Sequence, residues 1–175
     1  LTGYYGETLA DITLPEGFSF VDEETTELDE VGEKTFKVNY TAPNDTEGKY
    51  NVITNIEVTI TVNKARPEYT VPTTLTATYG DLLSSVAFTQ PADGEWSWQE
   101  GSALVGDKGE RVHLATFTPI DNGYATVEDI EVTVTVAAKT LTNNSAISAI
   151  VAQTYTGSAI EPTITVTDNG ATLVK

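Results

Sequence analysis

The feature that most constrains the fold is an internal repeat with an offset of 74 residues. Residues 1–9 (LTGYYGETL) return as residues 75–83 (LTATYGDLL), and residues 56–62 (IEVTITV) return as residues 130–136 (IEVTVTV) with six of seven positions identical. Both pairs of segments are separated by the same 74 positions, so the unit has one length at both ends. The chain is therefore expected to fold as copies of one small module.

Between these anchors the strand-like segments correspond while the loops differ in length. Gly17–Phe20 (GFSF) corresponds to Gly94–Trp98 (GEWSW), and Phe36–Thr41 corresponds to His113–Thr118. Surface loops tolerate insertions and paired strands do not. We therefore expect residues 1–63 and 75–137 to adopt the same fold.

Apolar residues alternate with Glu and Thr along residues 56–62, which predicts a strand with one buried and one solvated face. The chain contains 30 Thr, a β-branched residue that favours strands. Clusters of Pro, Asn, Asp and Gly at 42–45 and 119–123 predict turns, and no long segment has helical periodicity. The prediction is an all-β fold of tandem small immunoglobulin-like β-sandwich modules.

The predicted modules are 1–64 and 65–138, with residues 139–175 as part of a third, different one. Linkers are expected at 63–68 and 137–140, where the alternation stops. Residues 69–74 precede Leu75 in the second module, and no equivalent residues precede Leu1. If 69–73 is an edge strand, the first module lacks its first strand and leaves a sheet edge exposed.

In the third segment, residues 164–167 and 171–174 flank Asp168-Asn169-Gly170, which predicts two strands joined by a tight hairpin turn. This segment is too short for an independent core. Because the first residue is Leu1, the chain is expected to be a piece of a longer protein.

The charge and the missing cysteines exclude several function classes. Acidic residues number 26 against 9 basic ones, giving a net charge of −17, which repels nucleic acid and anionic membranes. Without Cys, the chain has no disulfide, no thiolate metal site and no cysteine nucleophile. No apolar run is long enough to span a bilayer, so no membrane contact is expected in this segment.

The chain resembles the bacterial immunoglobulin-like repeats of large Gram-positive surface proteins. The motifs that carry the resemblance are Tyr5-Gly6, Gly17–Phe20, Val31–Phe36 and Ile56–Ile60. The resemblance covers residues 1–137 as two units, and residues 140–175 resemble the start of a related repeat class. It implies a spacer or adhesion role, an extracellular or cell-surface location and no shared catalytic residues.

Trp96 and Trp98 are the candidate ligand contacts, because two indoles at i and i+2 of a strand share a face and could stack on a sugar ring. The competing interpretation is that they fill the core. The first repeat has Phe18 and Phe20 at the corresponding positions, and a need for apolar bulk explains that exchange more simply.

Other candidate residues favour ordinary structural roles, so no catalytic, cofactor or metal residue is assigned. The acidic stretch 22–30 lacks the ligand spacing of a Ca²⁺ loop, and Asp121-Asn122-Gly123 is read as a turn. His113 is the single histidine and corresponds to Phe36, which places it at the edge of the core. An isopeptide crosslink would need a buried Lys, with Lys34 and Lys37 as the possible donors.

The sequence therefore predicts a non-enzymatic structural spacer or adhesive module of a bacterial cell-surface protein. Its expected partners are neighbouring repeats of the same chain, with a host or environmental glycan or protein as a further partner. The alternative is a carbohydrate-binding accessory module of a secreted enzyme.

Overall fold

The computed structural model describes residues 1–43, 47–141, 146–155, 157–161, 164–168 and 171–173. Within these ranges the regular structure consists of strands and two single-turn 3-10 helices, with no α-helix. The strands are β1 (Thr2–Tyr4), β2 (Phe18–Phe20), β3 (Gly32–Tyr40), β4 (Ile53–Asn63), β5 (Leu75–Thr78), β6 (Gly94–Trp98), β7 (Gly109–Pro119), β8 (Val127–Ala137), β9 (Ala146–Ile147), β10 (Val166–Asp168) and β11 (Ala171–Thr172). The 3-10 helices are Leu9–Asp11 and Leu83–Ser85.

The strands form two four-stranded sheets with one order of strands. The first sheet is ordered β1-β4-β3-β2 and the second β5-β8-β7-β6, while β9 to β11 form a small three-stranded sheet. In each large sheet the first strand runs parallel to the last strand in the sequence, β1 to β4 and β5 to β8. The other neighbouring strands are antiparallel. The predicted all-β architecture is confirmed.

A β-bulge curls each large sheet at equivalent positions. In β4 two residues, Thr54 and Asn55, lie opposite the single residue Asn39 of β3. β8 has the same irregularity at Asp129. Asn55 and Asp129 have φ values of 59° and 57°, a left-handed conformation that Asn and Asp tolerate better than most residues. A bulge bends its strand and increases the local twist.

Each large sheet buries one face, as the alternation predicted. In β8 the side chains of Ile130, Val132, Val134 and Val136 are buried, and the residues between them are exposed. The segments that cover the apolar faces are joined by single antiparallel β-bridges, Thr8 with Glu27 and Leu82 with Leu104. They include Leu83 and Val105 over the second sheet, and Leu9 and Leu28 over the first.

Equivalent hydrogen bonds hold these covering segments in both sheets. In the first, Leu28 N donates to Glu7 O at 2.7 Å and Leu9 N donates to Thr26 O at 3.0 Å. In the second, Val105 N donates to Asp81 O at 3.0 Å and Leu83 N to Ala103 O at 2.9 Å. The core of each half is therefore closed by a loop that pairs with the turn after its first strand.

Residues 69–73 form no edge strand, which was the condition for the first module to lack a strand. Residues 66–74 belong to no strand, and every strand of the second sheet has a counterpart in the first. Instead, Tyr69 packs its ring against Trp96 and Phe117, with centroid distances of 5.8 and 5.5 Å. Tyr69 thus adds an aromatic ring to the cover of the second core.

On the edge strands, side chains form hydrogen bonds with backbone groups that point away from the sheet. The Tyr4 amide donates to Glu7 Oε2 at 2.8 Å, and the equivalent Thr78 amide donates to Asp81 Oδ2 at 2.8 Å. On β6, the Gln90 amide accepts from Trp96 N at 2.6 Å and donates to Trp96 O at 2.9 Å. These contacts compete with pairing to a strand of another molecule.

In the third segment, β10 pairs with β11 in antiparallel fashion through Thr167–Thr172 and Asp168–Ala171. This agrees with a strand, turn and strand arrangement. The predicted turn residues Asn169 and Gly170 lie outside the described residues, as do Asn44 and Asp45 of the predicted turn at 42–45.

The covering segments predict unequal effects for two neighbouring leucines. Leu83 is 2% exposed and Leu82 is 43% exposed. We expect Leu83→Ala to lower the free energy of unfolding by about 2–5 kcal/mol because it leaves a cavity under the sheet. Leu82→Ala, the matched control, should change it by about 0.5 kcal/mol. Urea denaturation of both variants tests this, and equal losses would contradict the assignment of Leu83 to the core.

Candidate functional site

The two tryptophans lie on the covered face of β6. Trp96 is 4% exposed, and its ring contacts Phe117 at a centroid distance of 5.2 Å and Phe88 at 6.0 Å. Trp98 is partly buried, and its ring centroid lies 4.4 Å from that of Phe88. Its indole N–H donates to Val86 O at 2.9 Å. A sugar platform needs an open ring face, which the buried Trp96 does not offer, and the ring of Trp98 packs on that of Phe88. The geometry favours packing over recognition.

The correspondence between aromatic pairs extends to the register. Trp96 lies opposite Phe117, and Phe18 lies opposite Tyr40 in the first sheet. The rings of Phe18 and Tyr40 are 4.8 Å apart, and both are partly buried.

A groove lies beside Trp96, between the segment around Tyr69 and the edge of the second sheet. It has a volume of about 590 Å³, and its apolar lining includes Trp96, Phe117 and Leu75. Its polar lining includes Gln90, whose amide already bonds the backbone of Trp96. Trp96 and Phe117 are both buried, so they expose little aromatic surface to the groove.

The acidic stretch 22–30 serves as part of the cover over the first sheet. Its Leu28 is buried, and its Glu30 carboxylate contacts the Lys34 ammonium, which lowers the pKa of Glu30 below its ordinary value. Within the described residues, no group of three His, Asp or Glu side chains is arranged to hold a metal ion. The stretch thus combines one buried anchor with solvated carboxylates.

His113 and the lysines of β3 have structural surroundings. His113 Nε2 lies 3.1 Å from Val105 O, and its ring meets Trp98 edge to face at 6.1 Å. Lys34 contacts Glu30, and Lys37 is exposed. An isopeptide crosslink requires a buried lysine beside its partner, so neither lysine is placed for one.

The most specific set of contacts between the two large sheets is a joint formed by Tyr5, Ala65, Asp121, Gly123 and Tyr124. Ala65, in the linker, is held by two backbone hydrogen bonds. Its N–H donates to Gly123 O at 3.0 Å, and its carbonyl accepts from Ala125 N at 2.8 Å. The linker is therefore paired with the loop between β7 and β8 and is not a free tether.

Tyr5 completes the joint from the first sheet. Its backbone N–H donates to Asn63 O at 2.9 Å, and the next residue, Gly6, has a left-handed φ of 83° that a residue with a Cβ rarely adopts. Its ring meets Tyr124 edge to face at a centroid distance of 5.3 Å. Its hydroxyl donates to Asp121 Oδ2 at 2.9 Å.

Gly123 allows this close approach. A Cβ at position 123 would overlap the Tyr5 ring. The other oxygen of Asp121 accepts from Gly123 N at 2.8 Å, so one carboxylate shapes the turn and receives the phenol of the other sheet. The prediction that Asp121-Asn122-Gly123 is a turn agrees with this geometry, whereas the contact with Tyr5 was not predicted.

A sequence signal for the joint does exist. Tyr5-Gly6 recurs as Tyr79-Gly80, and Tyr124 recurs as Tyr50 at the same offset of 74. A tyrosine that recurs outside the alternating strands suggests a contact with something other than its own core. Its partner could not be identified, because residues 5 and 121 are far apart in sequence and no local pattern joins them.

The electrostatics of the joint depend on the protonated phenol. The hydrogen bond to Asp121 raises the pKa of Tyr5 above its ordinary value of 10.0, and desolvation and the charge of Asp121 act in the same direction. The phenol donates to a carboxylate, so two acidic surfaces can meet without an added cation. Docking at the joint is favoured below the ordinary pKa of tyrosine.

Replacing Trp96 by Ala should lower the free energy of unfolding by about 3–5 kcal/mol, because the indole fills the core between Phe88 and Phe117. Chemical denaturation measures this, beside a binding assay with soluble glycans. An unchanged denaturation midpoint together with lost glycan binding would reverse the assignment of Trp96 to packing.

The raised pKa predicts that the joint opens at alkaline pH. Because the folded pKa exceeds the unfolded one, the contribution of Tyr5 is complete below about pH 10 and is lost as pH rises through the raised value. Spin labels on Thr59→Cys and Thr133→Cys, both exposed, report the distance between the sheets. The distance distribution should broaden at high pH in the parent and not in Tyr5→Phe, and equal broadening in both would contradict this role.

Within the described residues, no helix is long and apolar enough to cross a membrane. The chain matches no protein-family model, no curated protein and no solved structure, so its function must be inferred from its own residues and contacts.

Proposed function

We propose that this chain is a non-enzymatic structural spacer or adhesive segment of a bacterial cell-surface protein, built from small immunoglobulin-like modules. The observation that carries the proposal is the joint, in which Tyr5 of one sheet docks on the Asp121–Tyr124 loop of the next. A joint of this kind fixes the direction of successive modules. A spacer needs that property, because a freely jointed chain would collapse toward its own anchor.

The internal repeat supports the same proposal. Two sheets with one strand order follow each other along the chain, and covering segments close their cores at equivalent positions. Such an arrangement gains length by adding units, without changing the surface of any of them. The partners proposed on this basis are neighbouring repeats, with a glycan or protein of the environment bound through surfaces beyond the joint.

The acidic surface and the occupied edges fit an extracellular location. A net charge of −17 opposes association with nucleic acid and anionic lipid. The side chains of Glu7, Asp81 and Gln90 accept hydrogen bonds from backbone N–H groups of the edge strands. These N–H groups are then less open to pairing with a neighbouring copy, which disfavours aggregation. Both properties suit a protein displayed at high density.

The alternative of a carbohydrate-binding accessory module has less support. It requires an open aromatic platform, and the groove beside Trp96 exposes little of that ring. The indole N–H of Trp98, a natural donor to a sugar hydroxyl, is already bonded to Val86 O.

The spacer proposal predicts a narrow distribution of distances between labels on Thr59→Cys and Thr133→Cys. Gly123→Ala should broaden it, because the added Cβ displaces the Tyr5 ring, and Tyr5→Ala should do the same. The matched control is Tyr79→Ala, which removes the equivalent tyrosine of the second sheet, 52% exposed and outside the joint. Double electron–electron resonance measures all four proteins.

A distribution that is already broad in the parent, or equal broadening in the Tyr79→Ala control, would refute a fixed joint. In that case the spacer function would lose its main support. Denaturation midpoints of the four proteins show whether each variant keeps its cores.

A further inference from the structure

The chain enters and leaves the second sheet through neighbouring strands. It enters at Leu75, the first residue of β5, and leaves at Ala137, the last residue of β8. The two strands are parallel, with Leu75 opposite Val134 and Thr78 opposite Ala137. The points at which the chain enters and leaves therefore lie at opposite ends of one hydrogen-bonded pair.

This geometry determines how tension along the chain acts on the sheet. Pulling Leu75 and Ala137 apart slides β5 along β8, so the hydrogen bonds between the two strands are loaded together. If both attachment points were at the same end of the pair, the bonds would break one after another. Unfolding under force is governed by the barrier to the first rupture, and that barrier is higher when several bonds must break at once.

Some backbone N–H groups of β5 and of the residue after it point toward β8, and the others point away from it. Tyr79, directly after β5, donates its N–H to Ala137 O at 2.9 Å, whereas the Thr78 N–H points away and donates to Asp81. Backbone groups point in alternating directions along a strand. The N–H of Ala77 therefore faces β8, like that of Tyr79, and the N–H of Thr76 faces away, like that of Thr78.

Side-chain packing adds resistance to sliding. Leu75 and Ala77 pack against the buried cluster that contains Val134 and Val136 of β8. To slide along β8, β5 would have to pull these side chains across a packed core.

The first sheet has the same arrangement. β1 runs parallel to β4, with Thr2 opposite Thr61 and Tyr4 opposite Asn63. Hydrogen bonds from Thr61 N to Leu1 O and from Tyr5 N to Asn63 O, both 2.9 Å, extend the pair at its two ends.

We infer that the parallel pairs β5–β8 and β1–β4 are mechanical clamps, which let each module carry tension along the chain without unfolding. The inference deepens the proposed spacer function and rests on it for its biological use. The clamp itself is a property of each sheet and does not require the joint.

The test compares two pulling directions on the second sheet. The chain contains no Cys, so introduced cysteines provide unique handles for single-molecule force spectroscopy. Force applied through Thr73→Cys and Ala138→Cys acts at opposite ends of the β5–β8 pair and pulls along the strands. Force applied through Thr73→Cys and Thr133→Cys acts at one end of the pair and pulls the strands apart sideways. All three positions are exposed. The force at which the second sheet unfolds should be several-fold higher along the strands than across them.

A pair of proline variants tests which bonds carry the load. Ala77→Pro removes an N–H that faces β8 and should lower the unfolding force along the strands, while leaving the force across them nearly unchanged. Thr76→Pro, the matched control, removes an N–H that faces away and should change neither force. If Ala77→Pro does not fold, the comparison of pulling directions still decides, because it uses unaltered strands.

Equal unfolding forces in the two directions would overturn the clamp, as would equal weakening by Ala77→Pro and Thr76→Pro. Neither result would alter the label distances across the joint. Broad label distances combined with a high force along the strands would refute the spacer proposal and leave the clamp intact.

Discussion

The structure depends on one constraint: each large sheet has an apolar face that must be covered. The buried residues of β8 and β4 must therefore be covered by the chain that connects the strands. Leu83 and Val105 do this over the second sheet, and Leu9 and Leu28 over the first. These segments keep their hydrogen bonds in both halves, because without them the apolar face would remain in water.

The same constraint explains the aromatic residues. The second sheet has Trp96 and Trp98 where the first has Phe18 and Phe20, and it also receives Tyr69 from the preceding segment. We interpret the tryptophans as part of the packed core of the second sheet.

The joint and the clamps distribute mechanical roles between different interactions. The joint between Tyr5 and the loop at Asp121 controls direction through a few specific contacts, and a change of pH or a single Cβ is expected to release it. The clamps are proposed to resist tension through several backbone bonds loaded together. A protein with a net charge of −17 gains from this division, because neither device needs an attraction between opposite surface charges.

The sequence by itself determined the strands, their buried faces and the correspondence between the halves, because period-two alternation and a constant offset are local properties of the chain. It indicated that Trp96 and Phe18 are equivalent, and the register agrees. Only the tertiary structure decided that β5 lies parallel to β8, that 69–73 forms no strand, and that Tyr5 meets Asp121. Alternation specifies which face of a strand is buried but not which strand lies beside it, and contacts between distant residues leave no periodic signal.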